Sequence, residues 1–346
     1  MNIKSRFTQN IPDFLEKHGI SIIFTSYSGG NLVIINSKDK KISQIIRRFE
    51  APTGIALNKN KLAVSNKSKI NLFIQDEKLA DTYPSANREY EKLYYPIASY
   101  NVYNLDHHDL AFSNDTLLSV ATRINAITQI DNNLFHNVTP IWKPEFISNL
   151  SLNDHCHLNG LAVDSMGIMR YTTAFTSLKD SDNWRTSNLS KGVLIDIQKN
   201  EIVYENLYMP HSPRIYKNEL YVFSSATEQL LKFNSQTKQM SEVIKLDGYL
   251  RGLDFYDNYA FIGVSKLRKT HIFGNLPIAN KAINSGIVIV DMNTKEKVGE
   301  IIYENGMEEV FDVKVIKSRK TNLYTDNKLI ENEAIILPNF STWLNK

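Results

Sequence analysis

The chain has 346 residues, with 40 Lys and Arg against 37 Asp and Glu, and one cysteine. A hydrophobic share of 42% with 22% charged residues is globular, which excludes wholesale disorder and a fibrous repeat. A net charge of +3 leaves no electrostatic footprint for nucleic acid or an anionic membrane, and one cysteine permits neither an internal disulfide framework nor a Cys-rich zinc ribbon. The length admits two or three ordinary domains, or one all-β propeller or barrel.

Residues 1–20 scatter Lys4, Arg6, Asp13, Glu16 and Lys17 among apolar positions, so no secretory apolar core follows the start. The longest apolar runs, such as Ile20–Phe24 and Gly286–Val290, are strand-sized, well short of the ~20 residues of a membrane span. A cytoplasmic protein is expected, and the sequons at Asn66 and Asn137 read as chance matches.

In chain order, Ile11–His18 predicts a short amphipathic helix ended by Gly19, within an N-terminal extension over 1–19. From residue 20 to 346 one all-β domain is expected. Strands are predicted at Ser21–Tyr27, Asn31–Asn36, Ile42–Arg48, Lys61–Ser65, Lys69–Ile74, Leu220–Ser224, Gln229–Asn234 and Tyr259–Val264. They are rich in β-branched or aromatic residues and bounded by turn formers. A weak repeat organises them. Six segments place a small or polar residue before an apolar–x–apolar strand start, registered on Ile55, Leu110, Leu161, Ile215, Leu253 and Phe311. Their spacings are 55, 51, 54, 38 and 58 residues. The shortest is close to the ~40 residues of a four-stranded propeller blade, and the longer ones carry insertions. Three strand candidates precede the first segment, and little blade sequence follows the sixth. Joining the two ends gives a closing blade shared by both parts of the chain, hence a six-bladed β-propeller.

Strand alternation places the residues two and four before each registered position on one side. If that side faces the channel, His108, His157, His211, Arg251, Glu309, Asp106 and Asn159 meet at its mouth. His107 and His155 fall on the opposite side, as packing or supporting residues. Three imidazoles and a carboxylate suit Zn, Fe or Mn, with His108, His157, His211 and Glu309 as metal ligands. The plainer reading has these histidines satisfying one another at a crowded mouth. In the metal reading Glu309 doubles as general base and Asp106 joins it as a catalytic carboxylate. Arg251 and Asn159 bind the substrate. Cys156 is a buried structural cysteine or, less simply, a nucleophile. The segment Thr172–Lys191, with Trp184 and Arg185, reads either as a lid over an anionic or sugar-like ligand or as an anchored insertion. Arg268–Pro277 is a similar insertion, expected between the fifth and sixth blades.

The strings His157-Leu-Asn-Gly-Leu-Ala, Gly192-Val-Leu-Ile-Asp, Met209-Pro-His-Ser-Pro-Arg, Arg251-Gly-Leu-x-Phe and Tyr259-Ala-Phe-Ile-Gly-Val-Ser-Lys resemble a bacterial family of conserved hypothetical β-propeller proteins, as do Phe273-Gly-x-Leu-Pro-Ile-Ala and Glu308-Glu-Val-Phe-Asp-Val. The resemblance runs from Ser21 to Ile316 and implies the fold and the marked positions but no reaction. Relatives carry Asp-x-His-Glu where this chain has Asp106-His107-His108-Asp109. A more distant likeness is to gluconolactonase-type six-bladed propellers, whose oxygen-rich metal ligands are not reproduced here.

The expected function is a channel-mouth site for a small polar or anionic molecule, used by a metal-assisted hydrolase, lyase or isomerase. The alternative is a non-catalytic ligand- or protein-binding propeller, accessory to a modification pathway. Neither nucleic acid nor a membrane is an expected partner.

Overall fold

The computed structural model describes residues 3–84, 89–131, 136–178, 184–186, 189–267, 273–274, 276–325 and 333–344. Six antiparallel sheets of four core strands form the blades of a six-bladed β-propeller. Blades 1 to 5 begin with inner strands Ile55–Asn58, His107–Ser113, Leu158–Val163, Pro210–Tyr216 and Tyr249–Tyr256. In blade 6 the inner strand Asp312–Ile316 pairs with Ser21–Ser26, followed outwards by Asn31–Lys38 and Lys41–Arg48. The ring is thus closed by strands from both parts of the chain, as the repeat predicts.

The sequence of blade 6 shows why the sheets stack. Successive side chains on a strand point to opposite faces. Along Asn31–Lys38, Val33 and Ile35 pack with Phe261, Ile287, Ile289 and Ile301 of blade 5. Leu32 and Ile34, on the other face, pack with Ile55, Leu62, Val64 and Phe73 of blade 1. Both faces are dry, so the strand reads as an unbroken apolar run instead of an alternating one. Each such side chain contributes about 1.5–3 kcal/mol through its burial.

Both blades flanking the closure gain a fifth strand. Lys4–Phe7 pairs antiparallel with Glu296–Asn305 of blade 5, and Thr321–Leu323 pairs parallel with Lys92–Asn101 of blade 1. The helix Ile11–His18 buries Ile11 and Leu15 against the blade 5–blade 6 core and ends at Gly19 in the left-handed conformation. Past the ring, the hairpin Ala334–Leu337 with Phe340–Trp343 packs Trp343 among Leu79, Tyr83, Leu93 and Tyr324. No helix among the described residues is long and apolar enough to cross a membrane.

The two insertions share one position. Chain 175–191 joins the second and third strands of blade 3, and chain 266–284 joins the second and third strands of blade 5. The Arg268–Pro277 insertion therefore belongs inside blade 5, not between the fifth and sixth blades. Of it, residues 268–272 and 275 lie outside the described residues, as do 179–183 and 187–188 of the blade 3 segment.

Candidate functional site

The first hairpin of each blade fixes which residues are equivalent. It closes at Asn58↔Lys61, Ser113↔Thr116, Tyr216↔Glu219 and Tyr256↔Tyr259 in blades 1, 2, 4 and 5. Counting five residues back from each closing pair gives Thr53, His108, His211 and Arg251. Two residues earlier the backbone turns left-handed at Ala51, Asp106 and Met209, and blade 3 has the same turn at His157, which makes Asn159 the equivalent of His108. The fourth registered residue is therefore Pro213 rather than Ile215. His108 and His211 belong to one tier, and His157 belongs to the tier above it in the intervening blade. Repeat matching on apolar residues sets all three histidines in one ring, and the structure separates them into two tiers.

A register irregularity inserts an extra residue at the mouth end of these strands. It lies between His107 and Asp109, Leu158 and Gly160, His211 and Arg214, and Leu250 and Leu253. Such a bulge reverses the alternation. Above it the positions expected from parity do face the mouth. Below it the other parity lines the channel, which is why parity does not reach Asp109 and Arg214.

Above the bulges is a cavity of about 280 Å³. His108, His157, His211, Arg251, Glu309, Asp106, Trp184 and Arg185 all line it, joined by Tyr27, Phe175, Tyr249, Lys266, Phe273 and Phe311, which were not proposed as site residues. Asn159, in the tier of His108, is absent from this lining and borders the smaller space beneath it. The rings form a chain around the wall. His108 meets His157 at 4.8 Å, while Phe175 stands between His157 and His211 at 4.4 and 5.2 Å, and Tyr249 meets His211 at 5.5 Å.

Each imidazole is held by its Nδ1. In blade 2 the His108 Nδ1 lies 2.9 Å from the Asp106 carbonyl and 2.8 Å from Thr122 Oγ1. Blade 4 repeats this, with His211 Nδ1 at 3.0 Å from the Met209 carbonyl and 2.9 Å from Ser225 Oγ. Thr122 and Ser225 each open a single 3-10 turn after the second strand, so the two blades use one device. A carbonyl only accepts, so Nδ1 carries the proton, and a neutral ring then presents Nε2 as a bare acceptor. Burial drives both rings to the neutral form, His108 down to about 3 and His211 well below the usual imidazole value, with neighbouring Arg251 and His157 adding to the shift. His157 Nδ1 faces the Asp154 carboxylate at 3.1 Å. Among the described residues, no hydrogen bond engages the Nε2 of any of the three.

Asp154, not singled out in the sequence, fastens the blade 3 insertion to the wall. It accepts from Trp184 Nε1 at 2.8 Å and Arg185 Nη2 at 2.9 Å, and Arg185 stacks over the Trp184 ring at 4.5 Å. Although burial opposes ionisation, these donors and His157 hold its carboxyl below the usual range. The spacing Asp154–His157 was the available signal.

Arg251 lies 3.4 Å over the Phe311 ring and 3.6 Å from the Glu309 carboxylate. Glu309 is thus an ion-pair partner of Arg251. Among the described residues, no three or more His, Cys, Asp and Glu side chains are placed to hold one metal ion, so the set His108, His157, His211 and Glu309 is not assembled. His107 and His155 are packing residues. His107 is bonded to Ser119 Oγ and the Val102 carbonyl, and His155 Nε2 to Ser151 Oγ. Cys156 is fully buried against Asn125, and burial pushes its thiol well up, away from nucleophilic chemistry.

Below the cavity, Arg214 of blade 4 crosses the channel to Asp109 of blade 2 with two contacts of 2.7 and 3.0 Å, and reaches Asp312 of blade 6 at 3.5 Å. Asp109 also accepts from the Leu110 and Leu161 amides, and Asp312 from the Ile55 and Val313 amides. This charge knot is the rigid floor on which the two tiers stand.

The fold and site define a six-bladed β-propeller with an aromatic, imidazole-edged cavity at its channel mouth. The chain belongs to the family described as Domain of unknown function (DUF4915), whose model matches residues 9–323. No curated protein matches it. Among solved structures it is similar to a chain of the crystal structure of a nidogen/laminin complex, at 10% identity and a TM-score of 0.55, covering 87% of this chain and 100% of that one. It is likewise similar to a protein of unknown function from Bacteroides caccae, at 11% identity and 0.55 over the same shares. At these identities the likeness is one of fold.

Proposed function

We propose that the protein binds a small hydroxylated organic anion, such as a sugar acid or hydroxy acid, in the mouth cavity. The observation that carries this is the orientation of the imidazoles. With Nδ1 pinned, His108 and His211 offer acceptor edges, and such edges call for a ligand that brings hydroxyl donors. The surrounding aromatic faces of Phe175, Trp184, Tyr249 and Phe311 suit the C–H faces of a compact ring. Arg251 and Arg185 border the cavity, ion-paired with Glu309 and Asp154, and a planar guanidinium is the side chain best shaped to receive a carboxylate on the ligand.

A second reading has a specific support. His157 with Asp154 behind its Nδ1 is the arrangement of a general base, and it is equally the way a metal-ligating imidazole is held. In this reading His157 and His108 either move a proton or hold a divalent ion completed by the ligand's own oxygens, with Asp106 and Glu309 as supporting carboxylates.

One preparation tests both readings. Protein purified without chelator is denatured in methanol, and the released small molecules and metals are measured by mass spectrometry. The result is compared with an Arg251→Gln/Glu309→Gln double variant, which removes the ion pair without stranding a charge. A hydroxylated acid released by the wild type and missing from the variant is expected. Stoichiometric Zn, Fe or Mn would move the weight to the second reading, and a neutral or cationic ligand would overturn the first.

A further inference from the structure

Directly under the mouth cavity is a second space of about 10 Å³, bounded by the lower tier above and the charge knot below. That is room for one oxygen atom. Its wall includes His108, Asn159, His211, Arg251, Arg214 and Asp312. The carboxylates there are committed, Asp109 and Asp312 both to backbone amides and to Arg214. The amide of Asn159 is not. Its Oδ1 accepts from Thr173 Oγ1 at 2.7 Å, but its Nδ2 has no hydrogen-bond partner among the described residues, and the residue is 4% exposed. A buried donor left without an acceptor is uncommon in a folded protein and marks a place where an atom is due.

We propose that this chamber seats one carboxylate oxygen of the cavity ligand, received by Asn159 Nδ2 beside the Arg251 guanidinium. The inference rests on the anion reading of the mouth and adds to it an orientation. The acidic end of the ligand goes in first, between the tiers, and its hydroxylated body stays above against the imidazole edges and aromatic rings. Asn159 then fixes where the oxygen sits, and the Arg251 guanidinium beside it favours a carboxylate over a neutral analogue. An aspartate there would keep the shape and reverse the interaction, because an ionised carboxylate has no proton to donate.

The test needs no knowledge of the natural ligand. Crystals of the full-length wild type and of Asn159→Asp are soaked in sodium formate and, separately, in formamide. The wild type is expected to hold formate with one oxygen about 3 Å from Asn159 Nδ2, to prefer it over formamide, and to lose it in the Asn159→Asp variant. Asn159→Ala, which also lacks a donor, serves the same purpose if the aspartate does not fold. Formate found on Arg251 in the wide cavity, with the chamber unchanged by either substitution, would overturn the seat and leave the mouth reading standing. Formate absent from the whole cavity would overturn both.

Discussion

Replacing Arg214 with Met tests the channel floor. The side chain is nearly enclosed and holds Asp109 bidentately at 2.7 and 3.0 Å, reaches Asp312 at 3.5 Å, and donates to the Leu161 and Leu253 carbonyls. Burial works against its charge, but the flanking carboxylates overcome this and strengthen its hold on the proton. Removing it strands Asp109 in a site where its side chain is 5% exposed. Breaking a buried pair from one side costs about 3–5 kcal/mol. For a 346-residue chain, with an unfolding entropy of about 2.1 cal/mol/K per residue, that lowers Tm by about 4–7 °C. Calorimetry and urea unfolding should also show strong coupling with Asp109→Asn, the double variant being less destabilised than the sum of the singles. A loss under 1 kcal/mol, or strict additivity, would refute the view that the floor is one charge knot.

Further outcomes are expected from other parts of the structure. Burial pushes His107 down to about 4, against 6.5 in the unfolded chain, so the unfolded state takes up more protons and stability falls as pH drops through that window. Full protonation corresponds to a loss of about 3 kcal/mol, and urea titrations at pH 7 and 4.5 should give a shallower fall for His107→Gln than for the wild type. Asp154→Ala removes the acceptor of Trp184 Nε1 and Arg185 Nη2, so tryptophan emission should shift to the red and acrylamide quenching should rise. In Gly263→Ala the new Cβ would sit 2.1 Å from the Arg251 carbonyl and 2.6 Å from Val310 Cγ1. The overpacking should cost about 1–3 kcal/mol by urea unfolding and weaken retention of the cavity ligand.

The sequence made the ring legible because each blade repeats an apolar inner strand and a tight hairpin, and because the closing strands at both ends were short of partners. The cluster of chemistry is legible too, since His108, His157, His211 and Arg251 all fall at the mouth end of those strands. The tier of each histidine was not legible. Matching on Ile215 looked as good as matching on Pro213, and only the hairpin closure at Tyr216↔Glu219 separates them. Bulges leave no mark in an apolar–polar pattern, so the reversal that turns Asp109 and Arg214 into the channel is hidden from it. Asp154 is hidden for a different reason: it precedes the inner strand, and its role depends on where the insertion carrying Trp184 lies.

The central claim is that the mouth cavity holds a small hydroxylated anion. The most direct measurement is equilibrium dialysis of the full-length protein against a mixture of sugar acids, hydroxy acids and their neutral counterparts, with the retained compounds identified by mass spectrometry. At least one acid should be held near one per chain by the wild type, its neutral counterpart should not, and retention should vanish in the Arg251→Gln/Glu309→Gln variant. Retention of neutral compounds alone, or equal retention by the variant, would contradict the account.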